Sequence, residues 1–405
     1  PMKRLLMGDV GCGKTVVAAA AAYACIRSGK QAALMVPTQI LADQHMAYFS
    51  SLAGDLGFQT ALLTGQLTGT GRQENLDGIA KGKYNLIIGT QALIQEGVRF
   101  SGLGLVIIDE QHRFGVRERA LMEGKGQNPH LLVMTATPIP RTLAIALYGD
   151  MDISMINEYP KGHRAVVTHL AGASRKRAVF ETLKKRLSQG EQAFVICPMI
   201  EKSEVLDLKN AVDMARNLKK ILEPPFRVGL IHGQLSPDGR ERIMDDFRKG
   251  ALDLLVGTTV IEVGVHVPRA TMMIVEHPER FGLTQLHQLR GRVGRGSERG
   301  LCVLMTSDEL SEKSISRLEI LVKSHDGFEI AQKDLELRGQ GELTGMRQAG
   351  AGELEYSDII REPELLLRAK EAAEELITAD PELLVPGHQT LRAMVSNLLD
   401  APLDL

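Results

Sequence analysis

The chain has no tryptophan and few other aromatics, 10 Phe and 6 Tyr among 405 residues. So sparse a set argues against the aromatic stacking platforms on which single-strand binding modules rest their bases. Lysine and arginine number 48 against 50 acidic residues, and the formal net charge of −2 gives no overall field that would draw in a polyanion. Any grip on nucleic acid must then come from local basic and polar groups. Cys12, Cys25, Cys197 and Cys302 lie far apart with no CxxC pair, which suggests neither a zinc site nor a disulfide framework and suits a reducing cytoplasm. Cys12 sits in a loop where a reactive thiol and a small filler residue are both open readings. No apolar run approaches the length of a bilayer span, and the first residues lack the charged, apolar and small-residue succession of a signal peptide. These absences predict a globular intracellular chain with no membrane partner. The remainder is ordinary soluble composition, 44% hydrophobic and 24% charged, with length for two or three domains.

The most informative stretch comes first. Arg4-Leu5-Leu6-Met7 reads as a short buried strand, and Gly8-Asp9-Val10-Gly11-Cys12-Gly13-Lys14-Thr15 follows at once with Walker A spacing. Val16 to Ile26 then gives an alanine-rich helix without a breaker. Gly8, Gly11 and Gly13 allow a tight turn whose backbone N–H groups point inward at phosphate oxygens, and the helix adds its positive N-terminal end. In this reading Lys14 reaches the β/γ-phosphates of ATP and the Thr15 hydroxyl ligates Mg²⁺.

Short Val, Ile and Leu runs recur down the chain with helical stretches between them. Ala32 to Val36, Leu86 to Ile88, Leu103 to Ile108 and Leu131 to Met134 follow the first strand. The rhythm pauses around Asn157 to His163, then resumes with Val166 to Leu170, Ala193 to Ile196, Val228 to Ile231, Leu252 to Val256, Thr271 to Val275 and Cys302 to Met305. Alternation of this kind predicts α/β architecture, two doubly wound parallel sheets in tandem joined near Pro160. The second has no phosphate loop of its own, so one nucleotide site is expected, at or near the seam. From Ser307 the pattern turns helical and polar: Ser311 to Lys323, Glu364 to Thr378 and Leu391 to Leu399 read as helices, and Arg338 to Glu342 as a loop. The expected domains are 1–158, 159–306 and 307–405.

Several strand ends carry chemistry. Leu105-Val106-Ile107-Ile108 ends in Asp109-Glu110-Gln111-His112, which places two carboxylates at the carboxyl edge of the sheet, where ligands of open α/β sheets bind. Asp109 would hold Mg²⁺, directly or through water, Glu110 would orient and deprotonate the attacking water, and His112 could couple the site to the next motif. That motif is Thr135-Ala136-Thr137-Pro138, whose hydroxyls can bond to the acidic motif and report the γ-phosphate. In Gln288-Leu289-Arg290-Gly291-Arg292-Val293-Gly294-Arg295 the spacing of Arg292 and Arg295 puts both on one helical face, and guanidinium forks suit a transferring phosphoryl group. A basic run binding solvent or a nucleic-acid backbone is the other reading. Gly257-Thr258-Thr259 to Gly264 ends another buried strand with hydroxyls and amides suited to phosphates of either ligand. Pro37-Thr38-Gln39, Gly89-Thr90-Gln91 and His232-Gly233-Gln234 would face the same way and outline a sugar-phosphate track.

In this order the motifs resemble the two-lobed motor core of superfamily 2 helicases, with tandem RecA-like P-loop NTPase domains. More narrowly, Asp109 to Gly115, Thr135 to Arg141 and Glu279-Arg280-Phe281-Gly282-Leu283 are similar to the RecG family of bacterial branched-DNA helicases. Gln111 also favours RecG over the Mfd type. The likeness extends through Asp334 to Gly350, similar to the translocation motif that RecG shares with Mfd, so the third region is read as a mainly helical translocation-motif region. The resemblance implies catalytic roles for Glu110, Gln288, Arg292 and Arg295, nucleotide contacts from His112 and Gly264, and coupling of the ATP cycle to DNA movement through Thr135, Thr137, Arg338 and Gln348. It implies branched or duplex DNA as partner, with single-strand binding protein at forks, and a monomer in the bacterial cytoplasm, associated with the nucleoid. His266 stands where relatives usually carry Asp. A strand starting so near Pro1 predicts a fragment without the family's wedge domain and adenine-contacting segment, one that hydrolyses ATP weakly and binds forks poorly. Alternatives are an Mfd-type translocase partnered by RNA polymerase and, from another class, a non-catalytic module in which ATP only locks the lobes. A metabolite kinase would share the phosphate loop but not need the second lobe.

Overall fold

The structure, a computed structural model, describes residues 1–111, 114–137, 139–140, 143–144, 148–149, 151–160, 166–198, 204–258, 267–294, 299–307, 310–338 and 363–400. Among them two sheets stand in tandem, as the recurring apolar runs predict. The first holds β1 (Lys3–Gly8), β2 (Gln31–Met35), β3 (Thr60–Leu63), β4 (Leu86–Gly89), β5 (Leu103–Ile108), β6 (His130–Thr135) and β7 (Asp152–Ile156), in the order β3-β4-β2-β5-β6-β1-β7. The second holds β8 (Val167–Ala171), β9 (Gln192–Ile196), β10 (Val228–Ile231), β11 (Leu254–Gly257), β12 (Ala270–Glu276) and β13 (Leu301–Met305), in the order β10-β11-β9-β12-β13-β8. The pairings of β1 with β6, β2 with β4 and β5, and β9 with β11 and β12 are all parallel. Parallel neighbours require crossover connections, which explains why helices alternate with strands.

Alternate residues of the strands feed opposite faces, and both faces are covered. In β5, Leu105 and Ile107 join a cluster with Leu6, Leu34 and Phe49, while Val106 and Ile108, pointing the other way, are equally buried. In β9, Phe194 and Ile196 enter one core and Ala193 and Val195 another. The helix Lys14–Arg27 lies on the first sheet through Ala18 and Ala22, one turn apart and too small to hold it off the strands.

A buried glutamine opens an inner strand of each sheet, Gln31 in β2 and Gln192 in β9. The Gln31 amide donates to the carbonyls of Ile79 (3.0 Å) and Tyr84 (2.8 Å), and its oxygen accepts from Ser101 N (2.7 Å) and Gly102 N (3.2 Å). Gln192 in β9 donates in the same way to Phe247 O (2.6 Å) and Leu252 O (2.7 Å), while its oxygen has no partner among the described residues. The second sheet thus repeats a tie of the first, linking the opening of an inner strand to the end of a crossover helix.

Two compact units result: Pro1–Pro138 with Ser154–Ile330, which contains both lobes, and Ile139–Ile153 with Ala331–Leu405. In the second, Asp380 closes the turn after the helix Pro363–Ala379 by accepting from Leu384 N, Val385 N and His388 Nδ1, each at 2.9 Å. The expected helices are present as Glu312–Lys323, Pro363–Ala379 and Gln389–Asp400. Arg338, read from sequence as opening a loop, is the last residue of the helix Gly327–Arg338. No helix among the described residues is long and apolar enough to cross a membrane.

Candidate nucleotide site where the two lobes meet

The strands β5, β6 and β1 are adjacent, so the loops after them open side by side at the carboxyl edge of the first sheet. After β1 the chain turns with φ of +83° at Gly11 and +102° at Gly13, a region that only glycine enters freely. Gly8 is required for a different reason: a Cβ there would lie 2.5 Å from Cys12 Sγ and 3.3 Å from Ile156 Cβ. Gly13 precedes the helix Lys14–Arg27 without a side-chain cap, leaving first-turn N–H groups for an anion. Lys14 is buried and its ammonium donates to Gly8 O (2.7 Å) and Asp9 O (2.9 Å), so phosphate oxygens arriving there would replace the loop's own carbonyls. Thr15 is half-buried in the first turn. Cys12 Sγ lies 4.0 Å from Lys14 Nζ, yet burial pushes the thiol pKa up more than that charge lowers it.

After β5, the Asp109 carboxylate receives Glu110 N (3.0 Å) and meets His45 Nε2 (3.0 Å), which the helix Gln39–Leu56 carries in from the side. Burial alone would raise the Asp109 carboxyl, but the hydrogen bond and charge of His45 and the charge of Lys14 hold it below the usual carboxylate range. Glu110 adopts φ of +54°, a left-handed conformation that an unbranched non-glycine residue holds only when its surroundings over-determine it. Its carboxyl is pushed up, first by burial and then by the neighbouring Asp109, against the opposing charges of Arg292 and Lys14. The two adjacent carboxyls are therefore driven apart, Asp109 held toward its ionised form and Glu110 pushed toward holding a proton, the pattern that separates a standing charge from a proton-exchanging group.

The second lobe reaches this edge with the helix Leu283–Arg290 and the turn after it. Gln288 donates to Thr137 Oγ1 at 2.7 Å, and Thr135 Oγ1 accepts from Thr137 N at 3.1 Å. The acidic motif is bonded by the backbone N–H of Ala136. Gly291 packs on the phosphate loop so closely that a Cβ would lie 3.1 Å from Val10 Cβ. Arg292 is buried and acts electrostatically on Glu110 of the other lobe. Asp9 takes His287 Nε2 at 2.7 Å on both oxygens, Val10 N at 2.6 Å and the hydroxyl of Tyr159. Burial would raise this carboxyl too, but the hydrogen bonds from His287 and Tyr159 hold it low.

Of the track residues, Thr38 caps the helix Gln39–Leu56 by accepting from Leu41 N (3.4 Å), Thr90 stands extended just before the short turn Gln91–Ile94, and Thr258 is buried just past β11. Arg338 is described through its backbone only. His112, Thr259, Gly264, His266, Arg295 and Gln348 lie outside the described residues. Sequence reading did not single out His45, Asp9, Tyr159, His287 or Arg290. Asp9 and His287 stand inside or beside a recognised motif, but nothing in their spacing says that they pair across the lobes. A separate cavity of about 1020 Å³, with Met2, Cys25, Leu103, Lys125 and His130 among its walls, opens at the opposite, amino-terminal edge of the first sheet and contains none of the predicted site residues.

Known proteins match the chain along most of its length. The family described as DEAD/DEAH box helicase matches residues 3–145, the helicase conserved C-terminal domain matches 176–297, and the ATP-dependent DNA helicase RecG, domain 3, C-terminal family matches 324–404. The chain is 46% identical to the ATP-dependent DNA helicase RecG of Bacillus subtilis over 391 residues, which are 96% of this chain and 57% of that protein. It is 48% identical to the RecG of Acidithiobacillus ferridurans over 382 residues, 94% of this chain and 56% of that one. It therefore spans little more than half the length of these relatives. Among solved structures, RecG bound to a three-way DNA junction superposes with a TM-score of 0.75 at 43% identity, over 90% of this chain and 47% of that one. Dbp5 of S. cerevisiae bound to RNA and ADP BeF3, TM-score 0.59 at 18% identity over 82% of this chain and 84% of that one, shares the fold. By its sequence, its two tandem RecA-like domains and the order of its motifs, the chain belongs to the RecG helicase family.

Proposed function

We propose that this chain is the motor of an ATP-dependent DNA helicase or double-stranded DNA translocase of the RecG type, which remodels stalled forks and Holliday junctions in recombination and repair. The observation that carries the reading is the convergence of groups from both lobes: Lys14, Asp109 and Glu110 on one side, Arg292 acting on Glu110 and Gln288 bonded to Thr137 on the other. In this mechanism ATP lies on the phosphate loop, with Gly8, Gly11 and Gly13 shaping the amide cradle and Lys14 exchanging two carbonyls for phosphate oxygens. Glu110 takes the proton of the attacking water, and Arg292, with Arg295, stabilises charge on the transferring phosphoryl group. Gln288 passes the engagement of the lobes to Thr137 and Thr135.

The residues present also suit Mg²⁺. Among the described residues no cluster of three His, Cys, Asp or Glu could cage a metal, whereas a carboxylate held low at Asp109, together with the Thr15 hydroxyl, would make the sparse oxygen set that Mg²⁺ uses when substrate phosphates complete its shell. When bound, the ion would supply neutralisation of the β- and γ-phosphate oxygens.

The DNA partner is proposed from the relative solved with a three-way junction and from the hydroxyl-bearing strand ends. Thr38, Thr90, Thr258 and Thr259 would follow a sugar-phosphate backbone without reading bases. Arg338 and Gln348 would couple the cycle to movement, His112 and Gly264 would complete the nucleotide contacts, and the regions 1–158, 159–306 and 307–405 would act as two lobes and a translocation region. The motor would work as a monomer in the bacterial cytoplasm, on nucleoid DNA, with single-strand binding protein at forks. The test is ATP turnover with fork DNA, linear duplex or no DNA, for the wild type and Glu110→Gln. DNA-stimulated turnover that the substitution abolishes supports the reading, and turnover that it leaves intact contradicts it.

A further inference from the structure

We propose that Asp9, His287 and Arg290 are positioning residues that carry the state of the phosphate loop across the lobes to the start of the helix Gly327–Arg338. The proposal rests on the nucleotide-binding reading above and adds to it a route by which occupancy is sensed at a distance.

Hydrogen-bond polarity fixes the first links. The Arg290 guanidinium can only donate, and its Nη2 lies 2.7 Å from His287 Nδ1, so that nitrogen accepts. The proton of the neutral ring therefore sits on Nε2, aimed at both Asp9 oxygens at 2.7 Å. Donor and acceptor alternate from carboxylate to imidazole to guanidinium with no freedom to reverse. All three residues are buried, with 6%, 5% and 4% of their surface exposed, so water does not substitute for a lost partner and a shift in one must move the next.

The same hydrogen-bonded row continues outward. Arg290 Nη1 donates to Leu321 O (2.7 Å) and Ser324 O (2.8 Å), carbonyls at the end of the helix Glu312–Lys323. Ser324 Oγ accepts from Asp326 N (3.2 Å) and donates to Glu329 (2.6 Å), while Asp326 Oδ1 takes Phe328 N (2.8 Å) and Glu329 N (3.3 Å). Asp326 thus caps the helix that ends at Arg338. At the other end, Lys14 Nζ sits on the Asp9 carbonyl at 2.9 Å. A phosphate that draws the ammonium away removes a donor from the backbone of the residue whose carboxylate anchors the row, and Asp9 must readjust.

A static pin between lobes would show the same bonds but would not respond to nucleotide, and this decides the test. Hydrogen exchange at the amides of Phe328, Glu329 and Ile330 is followed with and without a non-hydrolysable ATP analogue, alongside analogue affinity and DNA-stimulated kcat, in the wild type, His287→Phe, Asp9→Asn and the double variant. In the wild type the analogue should change exchange at these amides by about fivefold or more, the lower end of typical coupling between sites. His287→Phe should bind the analogue within about threefold of wild type, lose that response, and lower kcat about tenfold through misplacement of Arg292. Asp9→Asn keeps shape and an acceptor for His287, so it should act in the same direction with a smaller loss, and the double variant should be no worse than His287→Phe. Should His287→Phe fail to fold, Asp9→Asn decides by the same criteria. Exchange that ignores the analogue in the wild type, or a wild-type response in both variants, overturns the proposal. An analogue-dependent change that His287→Phe abolishes, in a protein that turns over no ATP, would uphold the relay and refute the hydrolytic reading instead.

Discussion

Replacing Gly291 with alanine should slow ATP hydrolysis without weakening the fold. Gly291 follows the helix Leu283–Arg290 with φ −66° and ψ −4°, a conformation open to any residue, so alanine brings no backbone strain there. Such a substitution at a compatible position ordinarily stabilises by about 0.4–1 kcal/mol through the unfolded chain. The obstacle lies across the seam: the new Cβ would stand 3.1 Å from Val10 Cβ and 3.3 Å from Val10 Cγ1. Carbon pairs settle at about 3.5–4.0 Å, so the phosphate loop and the second lobe must part by roughly half an ångström. Arg292 is the next residue and moves with the turn. Since a misplacement of about 1 Å can lower a rate about 10²-fold, half of that should lower kcat about tenfold. Steady-state ATPase with fork DNA, beside a thermal melt, reads both quantities. The expected result is a kcat near one tenth of wild type with an equal or higher Tm, and partial recovery when Val10→Ala removes the Cγ1 contact. Wild-type kcat in Gly291→Ala would refute the claim that this packing sets the position of Arg292.

Glu110 must be ionised to take a proton, and its carboxyl is raised by burial and by Asp109, so hydrolysis should fall away with acidification at a pH above the usual glutamate value of about 4.3. Arg292 opposes that rise, so in the residual activity of Arg292→Ala the acid limb should lie at higher pH than in wild type; a limb at lower pH would contradict the assignment. Gln31→Leu strips partners from two carbonyls and two amides, each worth about 1–3 kcal/mol when left buried and unpaired, and should destabilise by about 3–5 kcal/mol. Gln192→Leu strips two carbonyls and removes an oxygen that has no partner among the described residues, so its loss should be smaller by about 1 kcal/mol or more; denaturant melts giving the reverse order would refute the comparison.

The parts of the fold most legible in the sequence were those buried on both sides. β2, β5, β6 and β12 sit inside their sheets and present continuous apolar runs, and each was anticipated within a residue or two. β3 and β7 were not anticipated. They are the two edges of the first sheet, and β3 buries only alternate residues of its four while β7 is mostly half-buried. An edge strand covered on one face carries half the hydrophobic signal in a span too short to show its period. The phosphate loop was legible because its glycines answer to local backbone geometry, seen in the positive φ of Gly11 and Gly13. The pairs His45 with Asp109 and His287 with Asp9 were not, because strand order and the meeting of two lobes create them. No local rule distinguishes such a histidine from one that merely fills a core.

The account stands on a single hydrolytic site assembled from both lobes, and Arg292→Ala tests it most directly. With nucleotide affinity and fork-stimulated kcat measured on the same protein, the account predicts affinity within about threefold of wild type and a kcat lower by about 10³-fold, the smaller end of what an arginine supplied to a phosphoryl group contributes. Lysine at the same position should recover little, since it lacks the planar fork. A variant without Arg292 that hydrolyses ATP at the wild-type rate would contradict the account.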